Sequence, residues 1–247
     1  MGSDSHKPLH DKFYILIEED GPYLVFGQPP INQQIIAANA DKEIWWYKEG
    51  KSFEAEEHCA LCRCGESDKK PFCSGKHKEI DWDPTLTAAE EFNLDDAEMF
   101  EGPIVSLSDN EDFCAFARFC DAKGRIWNLV QRAETEEEIE LVKREAAHCP
   151  AGRLIVWNNA TGEALEPHFE PSIGLIQDPA IRVSGPIWVR GGIPIVSSGG
   201  KKFAVRNRVA LCRCGKSEHK PFCNGAHASC KFQDGLPSKP KENGEAY

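Results

Sequence analysis

Residues 60–77 read ALCRCGESDKKPFCSGKH, and 150 positions later residues 210–227 read ALCRCGKSEHKPFCNGAH, identical at 13 of 18 positions. A fixed-offset repeat of this kind makes the chain two copies of one supersecondary unit, and neither copy is large enough to bury a good core alone. The likeness runs upstream as well. Gly50, Lys51 and Phe53 return as Gly200, Lys201 and Phe203, while Gly21-Pro22, Val25, Gly27 and Pro30-Ile31 return as Gly185-Pro186, Val189, Gly191 and Pro194-Ile195. The first copy carries 14 extra residues between Pro30 and its cysteine loop, among them Trp45, Trp46 and Tyr47. Each unit is expected to be a short strand after Gly-Pro, a turn, further short strands and a cysteine loop. Mutual packing about an internal pseudo-twofold follows, with the aromatic trio as core or pseudo-dimer packing.

Both loops spell C-x-C-x2-S-x3-P-x-C-x-G-x-H, which presents Cys62, Cys64, Cys73 and His77 in one copy and Cys212, Cys214, Cys223 and His227 in the other. Thiolates are the usual ligands of iron–sulfur clusters, and imidazole can replace thiolate on one iron. The Cys-x-Cys pair is expected on one iron and the Cys–His pair on the other. Gly75 and Gly225 let the backbone turn between the last two ligands. Pro71 and Pro221 fix φ ahead of that turn. Ser74 and Asn224 occupy expected helix N-caps, where local N–H groups can face a negative cluster. Arg63, Arg213, Lys70 and Lys220 are either tuning charges near the sulfurs or solvated charges. Zinc is the competing metal, since Cys3His is an acceptable zinc set, but Cys-x-Cys is tight for two ligands on one closed tetrahedral ion.

Eleven cysteines, an odd number, with no export signal and with Cys-x-Cys pairs, argue against a disulfide framework and for metal in a cytoplasmic chain. A net charge of −11 excludes a nucleic-acid partner, and the lack of a long apolar run excludes a membrane span. Cys59 aligns with Val209 and Cys230 with Ile80, which marks both as core positions, whereas His58 and His219 align with Arg208 and Lys69 and are expected to face solvent.

At these motifs the chain resembles the CDGSH iron–sulfur domain family of mitoNEET-like proteins. The resemblance implies a [2Fe-2S] cluster with Cys3His ligation at each copy, in a mostly β fold, with the tandem chain similar to the family's dimer fused into one monomer. The family's Asp after the third cysteine is Ser74 in one copy and Asn224 in the other. With an imidazole ligand in each set, both clusters are expected to become labile in mild acid.

Between the copies, residues 83 to about 100 are acidic and turn-rich and read as a linker, and 134–148 place Ile139, Val142, Ala146 and Ala147 at helical spacing. Cys114, Cys120 and the Cys149-Pro150 pair resemble single-cluster bacterial ferredoxins, with Asp109 upstream and Ala117 where four-iron members carry another cysteine. A third iron–sulfur cluster at Cys114, Cys120 and Cys149 stands against a ferredoxin-like segment that has lost its cluster.

The reading is an α+β, mostly β chain. Its first CDGSH-type unit is 1–83, a linker and ferredoxin-like α/β insert is 84–180, the second unit is 181–236 and a disordered tail is 237–247. No nucleotide loop or nucleophile constellation points to an enzyme. Electron transfer with redox partner proteins is the leading role, and cluster donation to apo-protein acceptors is the alternative.

Overall fold

Short runs of β-branched and aromatic residues build the molecule. YILI at Tyr14–Ile17 (β1) and YLVF at Tyr23–Phe26 (β2) alternate buried and half-buried side chains and pair antiparallel. A computed structural model describes residues 12–54, 59–88 and 96–237. The first repeat continues with β3 (Ile31–Ala38), β4 (Ile44–Phe53) and β5 (Cys59–Leu61). The central segment holds β6 (Glu98–Phe100), β7 (Val105–Asp109), α1 (Ile126–Val130), α2 (Glu136–Ala147) and β8 (Leu154–Asn158). The second repeat comprises β9 (Ser172–Asp178), β10 (Val183–Arg190), β11 (Ile195–Ser197), β12 (Arg208–Leu211) and α3 (Ala226–Ser229). The architecture is mostly β, as expected.

Two sheets repeat one plan and exchange a strand. One has the order β11-β1-β2-β5, and the other β12-β10-β9-β3-β4. Val25 opposes Cys59 in the first, and their repeat equivalents Val189 and Val209 oppose each other in the second. Ile195 lies parallel to Ile15 while its equivalent Ile31 lies parallel to Ile173, so each sheet borrows the other repeat's strand after Pro-Ile. Ile15, Val25, Ile31, Leu61, Ile173, Val189, Ile195 and Leu211 then share one core. β9 falls before the expected boundary at 180/181 yet pairs with β10 and β3 in this second sheet.

The 14 extra residues of the first copy lengthen the β3–β4 hairpin, the fifth strand that the other sheet lacks. Tyr47 on β4 is buried between Phe119 and Trp188, each ring 4.7 Å away, and its hydroxyl donates to the His148 carbonyl at 3.1 Å. The expected aromatic packing is therefore directed at the central segment as well as at the second repeat.

The central segment is a three-stranded antiparallel sheet, β6-β7-β8, covered by α1 and α2. The helix expected at 134–148 runs 136–147, with Thr135 and Glu138 forming a reciprocal capping box. Val142 and Ala146 enter the core with Ile126, Val130, Leu107 and Val156. The acidic linker is not a free tether where it is described: Leu86 and Ala88 pack on the main core, and the Ala88 N–H donates to the Lys220 carbonyl at 2.9 Å. Its residues 89–95, the tail from 238 and His58 lie outside the described residues. Pro237 accepts a 3.0 Å bond from the Gln33 side chain.

Candidate metal centre

The two cysteine loops are built alike down to single hydrogen bonds. The Cys62 N–H donates to the Pro71 carbonyl at 2.8 Å, and the Cys212 N–H to the Pro221 carbonyl at 2.8 Å. Cys73 donates to Ala60 at 2.8 Å and Cys223 to Ala210 at 2.9 Å, so the third cysteine of each set is locked to the strand that precedes the first. Buried Ser67 and Ser217 close the loops by donating to the Phe72 and Phe222 carbonyls at 2.5 and 2.6 Å. Pro71 and Pro221 both follow cis peptide bonds.

Within each loop the donors fall into two pairs. Cys62 Sγ and Cys64 Sγ are 3.7 Å apart, and Cys73 Sγ is 3.4 Å from His77 Nδ1. The second copy gives the same 3.7 Å for Cys212 and Cys214 and 3.4 Å for Cys223 and His227. Among the described residues, no three Cys, His, Asp or Glu side chains converge on one point as a mononuclear ion requires. A two-iron cluster needs two donors per iron, and the pairs fit that demand.

One thiol in each set is shifted toward the thiolate. The Cys64 thiol beside Cys62 pushes the Cys62 sulfur down to about 6, helped by the Ser67 and Gly65 amides and by Lys70, and Cys64 is pushed up in return. Cys214 does the same to Cys212, again to about 6. Burial raises the Cys73 and Cys223 thiols. The Gly75 and Gly225 amides donate to Cys73 and Cys223 Sγ at 3.4 Å.

The two sites differ in exposure. Cys223 and His227 are 3% and 4% exposed, while Cys73 and His77 are half-buried. Burial, then the Arg213 charge, pushes the His227 imidazole down to about 4, which keeps it in the unprotonated form that metal requires.

Several sequence expectations change. The backbone N-cap of the helical turn after each loop is Gly75 (φ 83°) or Gly225 (φ 82°), and Asn224 Oδ1, one residue earlier, still accepts from the Ala226 N–H at the start of α3 at 3.2 Å. Ser74 Oγ, in contrast, accepts from the Asp68 amide at 3.2 Å. Arg63 and Arg213 are neither solvated nor bonded to sulfur. Arg63 donates to the carbonyls of Gly21, Pro84, Glu18 and Glu19, and Arg213 to the carbonyls of Gly185 and Ile176 and the Asp234 carboxylate, so they pin the loops to the strands beneath. Lys70 caps the Ser67 carbonyl at 2.8 Å, and buried Lys220 faces Asp83 at 3.4 Å. Cys59 is buried as expected, but Cys230 is exposed, since it lies past α3 at the surface. His219 is partly buried, its Nδ1 3.0 Å from the Asp112 carbonyl. No disulfide joins any of the eleven cysteines.

Cys114, Cys120 and Cys149 border a common cavity without converging on one point. They line one tight cavity of about 20 Å³, together with Ala117 and Arg153. That volume is on the order of what one water molecule needs. Burial, then Cys149, pushes Cys120 up to about 12. Arg153, buried and paired with Asp109 at 2.8 Å, is held charged by Cys114 first, then by Asp109 and the other two cysteines, against the cost of its burial. Sequence reasoning noted Asp109 but missed Arg153, which lies four residues past Cys149 with no motif to flag it.

Sequence reasoning also missed Tyr23. It is fully buried on β2 and donates across to the Cys212 carbonyl at 2.7 Å, whereas its repeat equivalent is Ile187. The central loop closes on the second site from the other side: Gly225 is within reach of the Cys114 carbonyl, 3.2 Å from where its Cβ would stand.

Residues 20–78 and 184–228 match the family model described as iron-binding zinc finger, CDGSH type, and residues 100–159 match that of a divergent 4Fe-4S mono-cluster. No curated protein and no solved structure matches the chain.

Proposed function

We propose that this iron–sulfur protein, two CDGSH-type segments around a divergent 4Fe-4S segment, holds a [2Fe-2S] cluster at each outer site and carries single electrons between protein partners, without catalysis of its own. One observation carries the reading: in both loops the four donors stand as a Cys–Cys pair and a Cys–His pair, two ligands for each of two irons. Cys62, Cys64, Cys73 and His77 hold one cluster, and Cys212, Cys214, Cys223 and His227 the other. Such a cluster supplies a one-electron couple, and imidazole in place of one thiolate makes it less negative and raises its potential. The strand exchange supports a pseudo-twofold relation between the repeats, so that one chain is its own dimer. Among the described residues no helix is long and apolar enough to cross a membrane, and a cytoplasmic site of action suits cysteines that form no disulfide. The acidic surface suits partners with basic docking patches.

The three central cysteines, with Ala117 in the fourth place, suit a [3Fe-4S] cluster, and a four-iron cluster there needs a fourth ligand from elsewhere. The greater exposure of Cys73 and His77 supports a second reading, in which the first site releases its cluster as cargo to an apo-protein. Iron and acid-labile sulfide per chain, with EPR before and after reduction, tests the proposal. About four irons and four sulfides are expected from the outer sites and about seven irons with the central one filled, whereas zinc without sulfide overturns it. Repeated redox cycling without iron loss separates carrier from donor.

A further inference from the structure

The two cysteine loops share their internal hydrogen bonds but not their surroundings. Two other stretches of the chain grip the second loop. Thr87 Oγ1 accepts from the Lys220 N–H at 2.9 Å and donates to the Glu218 carbonyl, and the Ala88 N–H donates to the Lys220 carbonyl at 2.9 Å. The central segment adds a second hold: the Phe113 ring packs on Phe222 at 5.3 Å, the Asp112 carbonyl lies 3.0 Å from His219 Nδ1, and the Cys114 carbonyl and Phe116 each stand 3.2 Å from where a Gly225 Cβ would be.

The first loop has neither hold. Among the described residues the Lys70 N–H and carbonyl, equivalents of the bonded Lys220 groups, have no hydrogen-bond partner, and nothing stands within 4 Å of a Cβ built on Gly75. Half-buried Phe72 meets the Phe53 ring at 6.0 Å, as Phe222 meets Phe203 at 5.3 Å, but no third ring takes the place of Phe113. Open backbone groups beside a half-covered aromatic side chain are the features on which an extended segment of another protein pairs and anchors.

Charge says what kind of segment. From Lys69 to Lys78 the first loop carries four lysines and no carboxylate, whereas from His219 to Ala228 the second carries Lys220 alone. Lys69 stands at the place of His219, and Lys76 and Lys78 at those of Ala226 and Ala228. Glu79, next in the chain, is taken up by Lys76 at 2.8 Å, while Lys69 and Lys78 are exposed and form no ion pair among the described residues. The net charge of −11 suits a basic partner over the surface at large, and this face is the exception.

We infer that a protein partner docks on the first loop through an acidic segment bearing an aromatic side chain, the chemistry with which this chain's own Glu111, Asp112, Phe113 and Phe116 cover the second loop. The inference rests on the proposal that the outer loops meet protein partners, and it adds where one of them docks and what that partner presents.

The test titrates the full-length chain into a fluorescein-labelled synthetic peptide of residues 109–117 with Cys114→Ser, followed by anisotropy. Saturable binding with a dissociation constant below about 1 mM is expected, weakening as salt is raised. Replacing both phenylalanines of the peptide by Ala, or its three acids by Asn and Gln, should weaken binding at least about tenfold. In the chain, Lys69→Glu combined with Lys78→Glu should do the same with the far-ultraviolet spectrum unchanged, while Lys216→Glu on the second loop should bind as the parent does. No saturable binding at millimolar concentration, or equal binding by the first-loop variant, overturns the inference. So does a preference for vesicles of phosphatidylserine and phosphatidylcholine over the peptide, which would make the face a membrane site. Binding is read whichever metal fills the loop, and iron and sulfide measured on the same samples keep its failure separate from a failure of the iron–sulfur assignment.

Discussion

Gly65 lies against the backbone of Cys214 so closely that a Cβ would stand 2.6 Å from the Cys214 carbonyl oxygen, and Gly215 meets Cys64 the same way at 2.4 Å. Both glycines have positive φ, 86° and 73°. The residue after each Cys-x-Cys pair is thus the point where the two ligand loops touch, backbone to backbone. Gly65→Ala should therefore cost more than a lost turn, since it combines left-handed strain with a clash against immovable backbone, about 2–4 kcal/mol together. Iron should fall at both outer sites, not at the first alone. Thermal unfolding and site-resolved EPR check this. Loss confined to the first site would show that the loops do not depend on each other.

Exposure orders the two outer sites. His227 and Cys223 are buried, and the His227 imidazole is held unprotonated down to about 4, whereas His77 and Cys73 are half-buried. Acid bleaching of the visible spectrum should be biphasic, with the first site lost before the second. His77→Cys should remove the fast phase and leave the slow one. A single phase that His77→Cys does not alter would sink the ordering.

Glu145 sits on the inner face of α2 with Oε2 buried and without a hydrogen-bond partner among the described residues, and Oε1 accepting from the Lys123 amide at 2.9 Å. Burial pushes its carboxyl up to about 7 from an ordinary 4.5. A raised folded value means the folded state holds the proton longer, so stability falls as pH rises from about 4.5 through about 7 and stays lowered above. Glu145→Gln should stabilise the protein at pH 8 by on the order of 1 kcal/mol, read as a higher melting temperature, and the gain should close at pH 4.5. Equal gains at both values would place the effect elsewhere than the charge.

Arg208, 1% exposed, donates to the carbonyls of Ala146, Ala147 and Cys149 at 2.6, 2.8 and 3.2 Å, to Leu154 at 3.3 Å, and to Glu166. A cation at the C-terminus of α2 satisfies carbonyls that the helix leaves open and complements its dipole. Arg208→Met should destabilise the protein by roughly 3 kcal/mol and loosen the central segment from β12. Limited proteolysis should then cut between residues 110 and 170 first. Unchanged proteolysis would mean that apolar packing alone holds the segment.

What could be read in advance was local. The Cys–Cys and Cys–His pairing, the α2 boundaries and the mostly β character depend on residues within a turn or a strand of one another, where spacing fixes geometry. The Thr135–Glu138 capping box lies three residues apart and is visible in the sequence for that reason. The N-cap position falls on Gly75 and Gly225, one residue later than expected, and of the two preceding side chains Asn224 bonds the Ala226 N–H while Ser74 turns to Asp68.

The sequence by itself determined that two like loops each present three thiols and an imidazole in two pairs. Only the tertiary structure decided that Ile31 and Ile195 exchange sheets, that Gly65 touches Cys214, and that Arg63 and Arg208 spend their charge on carbonyls. Those contacts join residues as much as 180 positions apart. Hydrophobic burial, which brings them together, has no direction and leaves no spacing to read.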